Sequence, residues 1–187
     1  PVKTAMLDVD ATIIPCDKRA AKRAYDGSRG YQPVLALWAE QDVILADEFR
    51  DGNVPAGCGN RRPSAPPTPL RGIGRRPMVE KAVAALPGGI ERVYLRGDSA
   101  LYEHELMTWL DARAIGYAIS ADMSPQLAAC IAALPEARWR LDREEADAIR
   151  EWAEVDYLPD DGVFKKDAVS PRRYLALRLR PRQGELL

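Results

Sequence analysis

The stretch Lys3-Thr-Ala-Met-Leu-Asp8-Val-Asp10-Ala-Thr12-Ile-Ile14 sets two carboxylates one residue apart inside an apolar run. Successive side chains of a β-strand point to opposite faces, so Asp8, Asp10 and Thr12 share one face and Leu7, Val9 and Ala11 the other. Burying a carboxylate is costly unless a cation or a proton compensates it. Two on one strand face therefore point to a divalent metal ion or to acid–base chemistry on a phosphate. A third aspartate lies in a similar setting, in Arg92-Val-Tyr-Leu-Arg-Gly-Asp98-Ser99. By spacing alone Asp98 also reads as a turn residue or helix cap, accepting free backbone N–H groups ahead of Leu101.

Outward from these aspartates the chain reads as an alternation of strands and helices. Residues 3–14 are expected to be a strand, and two glycines and a proline in Tyr25-Asp-Gly-Ser-Arg-Gly-Tyr31-Gln-Pro33 mark a turn. Val34–Trp38 and Val43–Phe49 flank a polar centre at Glu40-Gln-Asp42 and read as a hairpin, closed by Arg50-Asp-Gly52-Asn53. Residues 55–77 are rich in Pro, Gly and Arg and hold no acid, which predicts an irregular segment, either a solvated insertion or a contact for phosphates. Met78, Val79, Ala82, Val83 and Leu86 have helical spacing up to Pro87-Gly-Gly89. Val93–Leu95 predicts a strand, Leu106, Met107, Leu110 and Ala114 a helix, and Ile115–Ala121 another strand. Ser124-Pro125 starts a helix with an apolar stripe at Leu127, Ile131 and Leu134. Residues 140–151 are heavily charged and expected to be solvated, with late strands at Trp152–Tyr157 and Tyr174–Leu179. This order implies an α/β fold with a mixed sheet.

Composition narrows the chemistry. The 187 residues suffice for one domain, or a large part of one, with ample core. A net charge of −1 names no partner. Cys16, Cys58 and Cys130 have neither zinc-site spacing nor a disulfide framework, which suits a reducing cytosol. His104 is the sole histidine, so a metal would be held by oxygen, favouring Mg²⁺ or Mn²⁺ over Zn²⁺. No apolar run of membrane length and no signal peptide is read, and the start at Pro1 is read as lying within a reading frame or after processing.

Five patches together resemble the DDE-type transposases of bacterial insertion sequences. They are Leu7-Asp8-Val-Asp10-Ala-Thr12, Tyr25-Asp-Gly27-Ser-Arg-Gly30-Tyr31-Gln-Pro33, Leu45-Ala-Asp-Glu-Phe-Arg50-Asp-Gly52-Asn53, Leu95-Arg96-Gly97-Asp98-Ser99-Ala-Leu-Tyr102 and Ile115-Gly-Tyr117-Ala-Ile-Ser120. The resemblance implies a ribonuclease-H-like mixed sheet flanked by helices, with a β-containing insertion after the second aspartate. Residues 1–122 would be the first part of the core, interrupted by an irregular Pro/Arg-rich insertion at 58–77. Residues 123–187 would be a helix/strand subdomain preceding the catalytic helix. By the same resemblance, Asp10 and Asp98 are the first and second catalytic acids, with Asp8 beside them in the set holding Mg²⁺ or Mn²⁺. DNA, as transposon ends and target, would be the partner of a homodimer in the bacterial cytoplasm, near the nucleoid. Arg61, Arg62, Arg71, Arg75, Arg76, Arg178 and Arg180 would contact its phosphates. The family's third acid, a glutamate on a later helix, has no counterpart here. Glu185, in Arg180-Pro-Arg-Gln-Gly-Glu185, resembles the strand and turn ahead of that helix. The expectation is therefore an incomplete or inactive fragment.

Two other readings stay open. Asp-x-Asp-x-Thr also resembles the haloacid-dehalogenase-like phosphatases, with Asp8 as nucleophile, Asp10 as acid–base and Gly97-Asp98-Ser99 as the later acidic motif. Tyr102 stands there where a second acid belongs. The third reading is a non-catalytic DNA-binding or structural remnant.

Overall fold

The computed structural model describes residues 2–24, 26–53, 75–159 and 172–182. Arg61, Arg62, Arg71, Cys58, Glu185 and most of segment 58–77 lie outside these residues. The chain divides into two compact units, Pro1–Asp122 and Met123–Leu187.

In the first unit the described strands are β1 (Thr4–Ala11), β2 (Ile14–Pro15), β3 (Lys22–Arg23), β4 (Arg29–Tyr31), β5 (Val34–Trp38), β6 (Val43–Glu48), β7 (Arg92–Gly97) and β8 (Gly116–Ile119). Helix α1 (Arg75–Ala84) precedes β7, and α2 (His104–Asp111) lies between β7 and β8. Five strands form the central sheet in the order β6-β5-β1-β7-β8. β1 runs antiparallel to β5 and parallel to β7, and β7 is parallel to β8. The expected α/β mixed sheet flanked by helices is thus present, with β1 at its centre.

The alternation in β1 decides which face is covered. Ala5, Leu7 and Val9 are buried, and Leu7 and Val9 join Val34, Ala36 and Ala46 of the neighbouring strands. Met78, Val79 and Ala82 of α1, with Leu106, Trp109 and Leu110 of α2, complete this core. Their spacing of three and four residues sets one apolar stripe on each helix toward the sheet. The opposite face keeps Met6, Asp8, Asp10, Tyr94 and Arg96 partly or fully exposed. Burying a single sheet face leaves the other free for polar chemistry.

The hairpin of β5 and β6 forms as expected, with Asp42 at φ 53° in its turn. A small sheet of order β2-β4-β3 lies beside it in the chain. Gly52 closes against it: a Cβ there would lie 2.6 Å from the Gly30 carbonyl oxygen and 2.9 Å from that of Lys22. Arg50 and Glu48 form a buried ion pair at 2.8 Å, their side chains 4% and 9% exposed.

Three expectations on element bounds change. The strand foreseen over 3–14 is split at Pro33, the next ladder partner: Thr12 donates its N–H to the Pro33 carbonyl (3.1 Å), but proline has no N–H to return the bond. Helix α1 starts at Arg75, inside the segment read as irregular. Pro77 lies in its first turn, where no intrahelical donor is needed, and Arg76 pairs with Glu80 one turn on (2.8 Å). The charged stretch 140–151 is exposed over most of its length, yet it also builds strands.

In the second unit, Ser124 caps α3 (Pro125–Ala132), its hydroxyl accepting the Leu127 N–H at 3.1 Å. Among the described residues a sheet follows in the order β11-β10-β9, from β9 (Arg140–Glu144), β10 (Ala148–Val155) and β11 (Tyr174–Pro181). Charges that read as a solvated run pair across it, as Arg150 does with Asp142 at 2.8 Å.

Candidate functional site

Asp10 and Asp98 come together through strand register. β1 and β7 pair in parallel from Thr4 opposite Arg92 to Val9 opposite Gly97. The next residues are Asp10 and Asp98, so the two aspartates leave the central ladder side by side. Both are exposed. Side-chain alternation sets Asp10 on the face of Asp8, opposite the helix-covered core. Asp98 stays extended (φ −78°, ψ −174°) and follows Arg96 on that same face.

Each aspartate is fixed by one backbone bond. Asp10 Oδ1 accepts the N–H of Ala11 at 2.8 Å, and Asp98 Oδ1 accepts that of Ala100 at 2.9 Å. The second bond caps a short 3₁₀ turn, Ser99–Leu101. The cap reading and the site reading of Asp98 thus describe one residue, because capping uses a single oxygen. The Oδ2 atoms make no hydrogen bond among the described residues. Gly97 lets the turn fold tightly against the core: a Cβ there would meet Leu101 Cδ1 at 2.3 Å.

Asp8 is held differently. Arg96, directly across the β1–β7 ladder, donates Nε to Asp8 Oδ1 at 2.7 Å and Nη2 to Oδ2 at 2.6 Å. This fork geometry matches a carboxylate with two parallel charge-assisted bonds. The hydrogen bonds and charge of Asp8 hold the Arg96 guanidinium above its ordinary pKa. Both Asp8 oxygens are therefore occupied, which does not suit the free nucleophile that the phosphatase reading requires. Sequence reasoning passed over Arg96, although a signal was present: Arg96 precedes Asp98 by two residues, as Asp8 precedes Asp10.

The described arginines of the expected DNA-binding set all face carboxylates. Arg75 lies 3.6 Å from Glu103, and Arg76 bonds Glu80 and Glu105 at 2.8 and 3.0 Å. Arg178 binds both Glu136 and Glu151 and stacks 4.1 Å over the Trp139 ring. Arg180 reaches Glu151 at 2.9 Å. Hydrogen bonds from Arg178 hold Glu136 and Glu151 below the usual carboxylate range.

Two adjacent aspartates with free oxygens form a hard-donor set that fits Mg²⁺ or Mn²⁺. Among the described residues no group of three or more His, Cys, Asp or Glu converges as a complete metal site. No described helix is long and apolar enough to cross a membrane.

Comparison with curated protein sequences returns no significant match. Six solved chains match in structure. One is a piggyBac transposase, seen by cryo-EM in a synaptic complex with hairpin DNA, with TM-score 0.43 and 10% identity over 80% of this chain. The present chain spans 30% of the length of that one. Residues 1–160 match the family described as Transposase DDE domain group 1. That match takes in both aspartates and the whole central sheet, and the chain belongs to this family of transposase DDE domains.

Proposed function

We propose that Asp10 and Asp98 form the two-aspartate part of a divalent-metal site for DNA cleavage and strand transfer. The observation that carries this reading is the β1–β7 register, which ends at Val9 and Gly97 and sets the two exposed aspartates next to each other. Family membership supplies the reaction class. Asp10 and Asp98 would hold Mg²⁺ or Mn²⁺ through the oxygens their backbone bonds leave free. When bound, such an ion polarises a phosphodiester and promotes ionisation of the attacking water or 3′-hydroxyl. The protein's own part is positional. The Ala11 and Ala100 N–H groups fix the carboxylates, and the apolar core beneath β1 and β7 fixes the strands that carry them.

Two acids alone make a weak site, since such ions take about six oxygen ligands and waters fill the remainder. DNA, the proposed substrate, would reach the arginines of the described set by exchanging their carboxylate partners for phosphates. That exchange makes binding steeply salt-dependent.

The test is Mn²⁺ titration followed by electron paramagnetic resonance, on wild type, Asp10→Asn and Asp98→Asn. Each variant is expected to bind Mn²⁺ at least about tenfold more weakly, as loss of a charged ligand predicts. Equal binding by all three proteins removes the site.

A further inference from the structure

We infer that Asp8 and Arg96 form a cross-strand clamp that positions Asp10 and Asp98, and that Asp8 is no ligand of the metal site. The inference rests on the two-aspartate reading and deepens it.

The geometry argues for a clamp in three steps. First, the bidentate pair spans the two strands that deliver the site, at the ladder position just before their last paired residues. Asp8 stands one alternation before Asp10, and Arg96 one alternation before Asp98. Any slip or splay between the strands would have to break two charge-assisted bonds first. Second, both Asp8 oxygens are taken, whereas Asp10 and Asp98 each commit only one to the backbone. Recruiting Asp8 to a cation would strip it from Arg96 and leave the guanidinium close to that cation. Third, Arg96 offsets the Asp8 charge locally. Among the described residues no cation pairs with Asp10 or Asp98, both of which are exposed. The pairing also accounts for two acids on one strand face without assigning both to metal.

The clamp and the ligand readings give opposite signs for one substitution. Arg96→Gln removes a positive charge near the site and frees both Asp8 oxygens. If Asp8 were a ligand held back by Arg96, or if charge alone mattered, Mn²⁺ would bind more tightly. A clamp predicts weaker binding, by about tenfold, the lower end of what loss of an orienting partner produces at metal sites. Arg96→Lys keeps the charge but loses the fork, so it should bind between Arg96→Gln and wild type. The Arg96 side chain is 54% exposed, so both substitutions leave the core intact.

The experiment is Mn²⁺ titration by electron paramagnetic resonance on wild type, Arg96→Gln, Arg96→Lys and Asp10→Asn. Hydrogen exchange at the Leu7 and Val9 amides, which face β7, is measured on the metal-free proteins. Weaker Mn²⁺ binding in Arg96→Gln, with exchange at both amides at least twofold faster, supports the clamp. Tighter or unchanged Mn²⁺ binding, or unchanged exchange, overturns it. Should wild type and Asp10→Asn bind Mn²⁺ alike, the metal site itself fails, and the exchange arm still decides whether the pair holds the two strands together.

Discussion

Leu7→Ala tests the arrangement on which the site depends, namely that β1 turns its odd-numbered side chains into a helix-covered core and its even-numbered ones outward. Leu7 is fully buried, and its ladder partners are Trp38 on β5 and Leu95 on β7. The substitution deletes three carbon atoms. At roughly 0.8 kcal/mol for each buried methylene, the transfer term is about 2.4 kcal/mol. The residual cavity raises the expected loss into the range of about 3–5 kcal/mol seen for buried leucines. Met6→Ala, one residue earlier on the half-exposed face, is expected to lose less than about half as much. Tryptophans lie in both units, so bulk fluorescence blends them. Peptide-resolved hydrogen exchange across a urea series, followed on β1 and β7, isolates the first unit. A loss below about 1 kcal/mol for Leu7→Ala would show that the helices do not cover this face. Equal losses for the two variants would mean that the strand does not alternate as described.

Other outcomes follow from features already described. Glu48→Gln removes the carboxylate charge 2.8 Å from the buried Arg50 guanidinium and should destabilise the first unit by about 3 kcal/mol in the same exchange assay; a loss under about 0.5 kcal/mol would mean the pair is solvated. Gly52→Ala drives a methyl into two carbonyl oxygens and is expected to lose about 1–3 kcal/mol, read as a lowered thermal midpoint, and a neutral result would contradict the close approach. Glu136 and Glu151 have folded-state pKa values lowered by Arg178, so their stabilisation is complete above the ordinary glutamate value of 4.5 and fades as pH falls through the lowered values. The second unit should accordingly lose urea resistance on acidification below that value, and Arg178→Met should flatten the dependence. An unchanged acid profile in that variant would separate the arginine from the effect.

The fold was legible wherever side-chain alternation and burial agree. Asp8 and Asp10 mark one face of β1 and Leu7 and Val9 the other in the sequence itself, and the β5–β6 hairpin announces its turn with Glu40-Gln-Asp42. The start of α1 was hidden because Pro77 looks like a breaker when its place in the first turn is unknown. β9 was hidden because Arg140, Asp142 and Glu144 lack the apolar alternation that signals a strand; their charges find partners only across the sheet. At the candidate site, the settings of Asp10 and Asp98 singled them out, and the β1–β7 register sets them next to each other. The engagement of Asp8 by Arg96 was not legible, because it requires the register of two strands 88 residues apart. Local pattern carries no information on that separation.

The long reach of the β1–β7 pairing has a consequence for how the molecule is made. β1, β5 and β6 form a contiguous antiparallel run that local turns can assemble early. β7 must find β1 across a much longer span, and each doubling of a closed loop adds only about 0.6 kcal/mol to its entropic cost but slows the search. On a ribosome the first carboxylate emerges long before the second, and nothing brings them together until α1 and β7 have followed. The Asp10–Asp98 pair therefore forms only after β7 has been made, and a nascent chain that ends before β7 holds the first aspartate alone.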